Sequence, residues 1–268
     1  MTDWGPPKLN RAFSDILRYD PLLDRWDRAA VLARPRIYCA TVALGGRIWV
    51  IGGDEMLPDG RRQPTDSVDI LDPETGILAS GPTLPFAQTA PLGVVAGERI
   101  YVVGHPNRNS RGRMDSIGLG EGSWRREPDG PEGMWALAGA EAGGLIYVSV
   151  PAIGLVSFDP ARRTWRRIGG PSAPRSPQVV SWRSDIWIMG GRDVEDGRQS
   201  LIYRPADGSW HQGPSLPRPL SWGAAAAAEN RIYLMGGASG TAQSERPYVY
   251  SDQVFAWPDH VCIKSPTP

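Results

Sequence analysis

Five copies of one short run constrain this chain more than any other feature. RIWVIGG from Arg47, RIYVVGH from Arg99, LIYVSVP from Leu145, DIWIMGG from Asp185 and RIYLMGG from Arg231 share an Ile, an aromatic, two further residues and then usually Gly. Their starts lie 52, 46, 40 and 46 residues apart. A second series keeps step with the first: RYDPLLDRW, ILDPETGIL, SIGLGEGSW, SFDPARRTW and IYRPADGSW end at Trp26, Leu78, Trp124, Trp165 and Trp210. Two independent markers at matched spacing identify a repeat, and the slack between copies falls in Gly, Pro and charged stretches that read as loops.

Each unit reads as four short strands. The first is made of small residues, as in Cys39 to Ala43 and Gly223 to Ala226, and suits a strand crowded near an axis; a tight turn follows. The second is the Ile-aromatic run, apolar throughout and therefore buried on both faces. The third and fourth flank an Asp-Pro turn at Asp20-Pro21, Asp72-Pro73 and Asp159-Pro160. The glycine pairs Gly52-Gly53, Gly190-Gly191 and Gly236-Gly237 predict sharp turns with positive φ or a close neighbouring chain. The repeated aromatics and Trp26, Trp124, Trp165 and Trp210 are expected to be buried between adjacent units.

Composition agrees with a turn-rich globular fold: Gly 32, Pro 26 and Trp 11 in 268 residues. Lys plus Arg and Asp plus Glu both count 29, so no net charge favours nucleic acid or an anionic membrane surface. Met1 to Asn10 lacks the apolar core of a secretory signal, and no stretch approaches the roughly 20 apolar residues of a membrane span. Cys39 and Cys262 give neither a disulfide framework nor metal-ligand spacing. The expectation is a soluble, cytoplasmic protein with residues 1–13 as an N-terminal extension and residues 14–268 as a single all-β domain.

On these markers the chain resembles the Kelch repeat family of β-propellers, whose blades carry a diglycine after the second strand, an aromatic-Asp-Pro-like turn and a late tryptophan. The resemblance runs over about residues 16 to 258 and implies an all-β, Kelch-type β-propeller of four-stranded antiparallel blades. Several copies depart from the pattern, with Gly104-His105 and Ser149-Val150 in place of diglycine. Second halves outnumber first halves, because Ile16 to Trp26 has no Ile-aromatic run before it. Six blades with one incomplete are expected, five being the alternative, and Ile16 to Trp26 is expected to meet the region Ser221 to Lys264 to protect the sheet edge.

The residues carry no catalytic constellation. The histidines 105, 211 and 260 fall on different repeats without metal spacing, and neither a nucleophile elbow nor a phosphate loop occurs. Some Kelch-like propellers hold a copper-radical site, but here no histidines surround either cysteine. No catalytic residue, metal or cofactor is therefore assigned. In a four-stranded up-and-down blade the second-to-third and blade-to-blade connections share one face, and long loops mark it as the binding face. Arg36, Asp54, His105, Trp135, Arg175, Arg192 and Trp222 are the candidate binding residues there, because arginine grips carboxylates through paired charge-assisted bonds. The reading is a protein or peptide interaction module that captures an acidic segment. The alternative, implied by similarity to the bacterial N-acetylneuraminate epimerase (mutarotase) family, is an enzyme on a small acidic sugar.

Overall fold

The computed structural model describes residues 13–20, 22–104, 111–134, 138–151, 153–192, 197–228, 230–239, 249–251, 253–257 and 261–263. Those residues form strands and turns and no helix. Six four-stranded antiparallel sheets make a β-propeller, with one further two-stranded ribbon. Five sheets are regular blades. Blade one is Ala40–Leu44, Arg47–Ile51, Val68–Leu71 and Leu78–Ser80; blade five is Ala224–Ala228, Arg231–Met235, Val254–Trp257 and Val261–Ile263. In each, the strands neighbour one another in chain order.

The residue types explain the positions. The Ile-aromatic strands are the core: Ile100, Ile146, Ile186 and Ile232 are fully buried, and Tyr101, Tyr147, Trp187 and Tyr233 nearly so. First strands are small because neighbours crowd them: a Cβ on Gly139 would lie 2.4 Å from the Tyr147 carbonyl oxygen and 3.0 Å from Leu92. They surround a central channel of about 470 Å³ lined mainly by valine, alanine and glycine, with Glu141 and Ser181 as its polar members. Each Asp-Pro turn is locked by its aspartate. Asp72 Oδ1 accepts from the amides of Glu74 and Thr75, and Asp159 Oδ1 from those of Ala161 and Arg162. The glycine pairs behave as expected: Gly53 and Gly191 have φ of 93° and 106°. A Cβ on Gly53 would meet the Ile37 carbonyl oxygen at 2.5 Å, so no larger residue fits.

Blades join through a repeated aromatic contact. Tyr101 of blade two packs on Phe158 of blade three, centroids 6.0 Å apart, and Tyr147 on Tyr203 of blade four at 5.7 Å. The late tryptophans stack behind, Trp165 on Phe158 and Trp210 on Tyr203, both at 5.1 Å. Trp26, Trp124, Trp165 and Trp210 are half-buried rather than buried, because they sit at the outer rim where one ring face stays wet. Their indole nitrogens reach back one blade: Trp124 donates to the Pro82 carbonyl at 2.8 Å and Trp165 to that of Pro128 at 3.0 Å.

The sixth sheet orders Phe13–Asp20, Arg25–Ile37, Asp54–Met56 and Arg62–Pro64. Its first two strands are the N-terminal hairpin, and its last two come from the long connection of blade one. Tyr19 stacks on Trp26 at 5.0 Å and both pack on Tyr233, Val254 and Ala256 of blade five. The chain's first hairpin thus closes the ring against its last blade.

Candidate functional site

Among the described residues, the second strands end and the first strands of the blades begin around one mouth of the channel. Two residues before the first strand of a blade, the backbone adopts a left-handed turn: Tyr38, Ala90, Ser176 and Trp222 have φ of 56°, 49°, 56° and 56°. That conformation is costly for any residue but glycine, so its recurrence marks a backbone fixed by the architecture. What varies is the side chain. Ala90 and Ser176 are small, whereas Tyr38 is 53% and Trp222 40% exposed, each a large ring held at the rim. The rings belong to blades one and five, the two that border the sixth sheet. Each has an arginine over it, Arg62 at 5.9 Å from the Tyr38 centroid and Arg192 at 4.7 Å from that of Trp222.

Beside Trp222, the chain entering blade four bridges the chain leaving its second strand. Arg175 N donates to Arg192 O at 3.3 Å and Arg192 N to Arg175 O at 2.7 Å. Directly opposite residues of an antiparallel pair project to the same side with Cβ atoms about 5 Å apart. Two guanidinium stems therefore rise together next to an exposed indole. Arg175, Arg192 and Trp222, picked from sequence, are brought into one patch.

Arg36 and Asp54 lie lower, inside the rim. The Arg36 side chain is 2% exposed and ion-paired with Asp69; it also donates to the carbonyls of Gly52 at 3.4 Å and Ser67 at 3.2 Å. Burial lowers its pKa, opposed by the charges of Cys39 and Glu55. Burial likewise pushes the Cys39 thiol up, opposed by the charge of Arg36. Asp54 accepts a 2.6 Å hydrogen bond from Thr89 Oγ1, tying blade one to the linker into blade two. Neighbouring Glu55, which sequence reasoning missed, is a hub. Its burial raises the pKa, but bonds from Ser67, Arg34 and Thr65 outweigh that and leave it lowered. His105 and Trp135 lie outside the described residues.

Other arginines of this face meet acids: Arg61 with Asp59 at 2.7 Å, Arg111 with Glu132 at 3.7 Å and Arg113 with Asp115 at 2.9 Å. Sequence reasoning also missed Tyr38. Its signal was the fixed offset before each small-residue strand, which places it in register with Trp222.

Blades, glycine pairs, Asp-Pro turns and rim together define a repeat-built β-propeller. The chain is a Kelch-repeat β-propeller, and the Kelch motif matches residues 35–77. It is similar to N-acetylneuraminate epimerase of Yersinia enterocolitica, 26% identical over 264 residues covering 85% of this chain and 64% of that protein. It is also similar to Kelch-like protein 35 of Mus musculus, 25% identical over 213 residues covering 77% of this chain and 36% of that protein. The chain thus spans less than two-thirds of the length of these curated relatives. Among solved structures, that titled "Structure of YjhT" matches with a TM-score of 0.67 and 12% identity, over 85% of this chain and 87% of that one. At that identity the likeness concerns the fold alone. Among the described residues, no helix is long and apolar enough to cross a membrane.

Proposed function

We propose that the protein is an interaction module that captures an acidic peptide or protein segment at the rim patch of Arg175, Arg192 and Trp222. The observation that carries this reading is the antiparallel bridge that sets Arg175 directly opposite Arg192, with Arg192 stacked over the exposed Trp222 ring at 4.7 Å. A carboxylate approaching this pair would accept paired, charge-assisted hydrogen bonds from the guanidinium groups. The indole adds a stacking surface, the anchor type favoured at interfaces. The Kelch repeat and the similarity to a Kelch-like protein support the module reading. The free thiol of Cys39 fits a reducing, cytoplasmic setting. The test is binding of fluorescein-labelled poly-Glu peptides to the protein and to an R175E/R192E variant. Affinity should fall by about tenfold or more, a loss of about 1.4 kcal/mol. Unchanged affinity in a folded variant removes the proposal.

A second reading, an acidic-sugar epimerase, draws on the similarity to N-acetylneuraminate epimerase over 85% of this chain. It needs a proton-transfer group, and the buried Asp54 carboxylate, bonded by Thr89, is the described candidate for that part. Proton NMR of anomer exchange in N-acetylneuraminate, with and without the protein and its Asp54→Asn variant, separates the two readings.

A further inference from the structure

Three joints between consecutive blades are filled in the same way. A late tryptophan of one blade packs on the segment that leaves the outer strand of the blade before it: Trp124 donates to the Pro82 carbonyl and Trp165 to that of Pro128. Trp210 lies against Gly170, where a Cβ would stand 2.3 Å from the indole ring. A bulky apolar residue on the third strand, opposite the end of the second, completes each joint. Val68 stands opposite Ile51, Met114 opposite Val103 and Leu155 opposite Ser149, and all three are buried.

The joint between blades four and five departs at both positions. Opposite Met189 the aligned residue is Ser200, also buried but much smaller. The amides of Gly81, Glu127 and Gly213 donate to the carbonyls of Val68, Met114 and Ser200, which puts Pro214 in register with Pro82 and Pro128. Here the Pro214 carbonyl accepts from Ser200 Oγ instead of from an indole. In blade five Trp257 stands opposite Ile232, as Phe158 does opposite Ile146 and Tyr203 opposite Ile186. The outer strand that follows, Val261–Ile263, is in place beside Val254–Trp257 and reads Val-Cys-Ile, with no aromatic. Between the two blades lies a cavity of about 100 Å³, lined by Trp187, Met189, Leu216, Leu234 and Phe255 with Trp257, and bordered at the surface by the exposed Ser215 and Pro217.

We propose that this cavity is a binding site for a small planar aromatic molecule. Protein interiors are packed without voids of this size as a rule, and an apolar cavity of about 150 Å³ stays dry and takes up benzene. A space of about 100 Å³ accordingly has room for one ring, with any second ring lying at the mouth between Ser215 and Pro217. The form of the ligand follows from the other joints, which hold an indole on the same segment of the preceding blade. Its polarity follows from Ser200: with the Pro214 carbonyl already bonded, the ligand needs no donor, and the lining side chains offer it carbon surface and ring faces. The cavity shares no lining residue with the arginine patch and does not depend on the acidic-ligand reading.

The test titrates fluoroindole into the full chain carrying methyl-labelled methionine, following the ligand by fluorine NMR and the protein by its methionine methyl signals. Saturable binding with a Kd below about 1 mM is expected, with the Met189 methyl, identified by its absence from a Met189→Leu variant, shifting most. Ser200→Leu puts into the cavity the side chain that Leu155 supplies one joint earlier, and should weaken binding about tenfold or more with circular dichroism unchanged. Leu216→Phe fills the same space from the opposite wall and should do the same, so the result does not hang on one variant folding. No saturable binding up to about 1 mM, affinity kept in a folded filling variant, or shifts at other methionines with Met189 unmoved overturns the proposal. So do nuclear Overhauser contacts, in the protein without ligand, from the Met189 methyl to residues of this chain outside the lining, since the chain then fills its own cavity.

Discussion

Replacing Asp69 by Ala should destabilise the protein more than replacing its partner Arg36, and the difference follows from where water can reach. Arg36 is 2% exposed at its side chain and Asp69 19%. Without Asp69, the guanidinium keeps the Gly52 and Ser67 carbonyls but has no carboxylate in contact, and it cannot reach solvent. Removing one partner of a buried pair in this way costs about 3 to 5 kcal/mol. Without Arg36, the Asp69 carboxylate can hydrate through its open side, and the loss is mainly two carbonyl contacts and packing, about 2 to 3 kcal/mol. The double variant leaves no stranded charge, so its cost should fall short of the sum by at least about 1.5 kcal/mol. Urea unfolding followed by tryptophan fluorescence measures all three, at an unchanged m-value if the native fold is kept. A D69A cost below about 1 kcal/mol, or strict additivity, would refute the buried pair. It would also return Arg36 to the set of arginines available to a ligand.

Trp165→Phe should cost about 1 kcal/mol, from the lost bond to the Pro128 carbonyl. Trp165→Ala should cost about 2 to 4 kcal/mol, less than a fully buried tryptophan because the ring is half-exposed; equal costs in denaturant unfolding would contradict the stacking on Phe158. Gly104→Ala should destabilise by about 1 to 3 kcal/mol, because its Cβ would lie 1.5 Å from Oε1 of the buried Gln88. The second change Gln88→Ala should recover most of that loss, and an unrecovered melting temperature would place the strain elsewhere. Glu121 is held at about 2 by the hydrogen bond from Arg99 and by the Gly118 amide. Its folded pKa lies below the unfolded value, so its contribution is present above the ordinary carboxylate range and is lost as pH falls toward 2. The stability gap between the wild type and an R99Q variant should therefore shrink from pH 5 to about 2, and a gap independent of pH would refute that link.

What the sequence made legible was whatever repeats or is decided by near neighbours. The Ile-aromatic hairpins and the Asp-Pro turns are decided by near neighbours, the diglycines were legible because only glycine takes their backbone without cost, and repetition multiplied each signal. The N-terminal hairpin could be matched to blade five because Tyr19 and Trp26 carry a blade's own markers. Other features depend on partners distant in sequence. Arg36 looks like a surface arginine until Asp69 and the carbonyls of Gly52 and Ser67 close over it. The segment from Asp54 to Pro64 reads as a long loop, yet it forms a small hairpin that joins Arg25–Ile37 in the sixth sheet through Arg36 and Ile37. Half-burial of the late tryptophans is also illegible, since spacing says that a ring packs on its neighbour and not how much of its far face stays in water.

The same crowding that makes the propeller closes its channel to most polar chemistry. Adjacent first strands approach closely, a Cβ on Gly93 lying 3.0 Å from Val42 and one on Gly139 3.0 Å from Leu92, and the channel lining is mostly alanine, valine and glycine, with Glu141 and Ser181 as its polar members. Among the described residues, that wall carries few of the convergent polar groups found in small-molecule pockets. The rim obeys the opposite rule. There the architecture fixes a left-handed backbone at the same offset in blade after blade, while the side chain points away from the packed interior and is free to differ. Tyr38 and Trp222 are what this sequence has placed in two of those positions, each under an arginine, in the two blades that border the sixth sheet. Recognition in this molecule is therefore expected where the repeat is irregular in side chain but regular in backbone, because only there can a ligand be read without disturbing the ring.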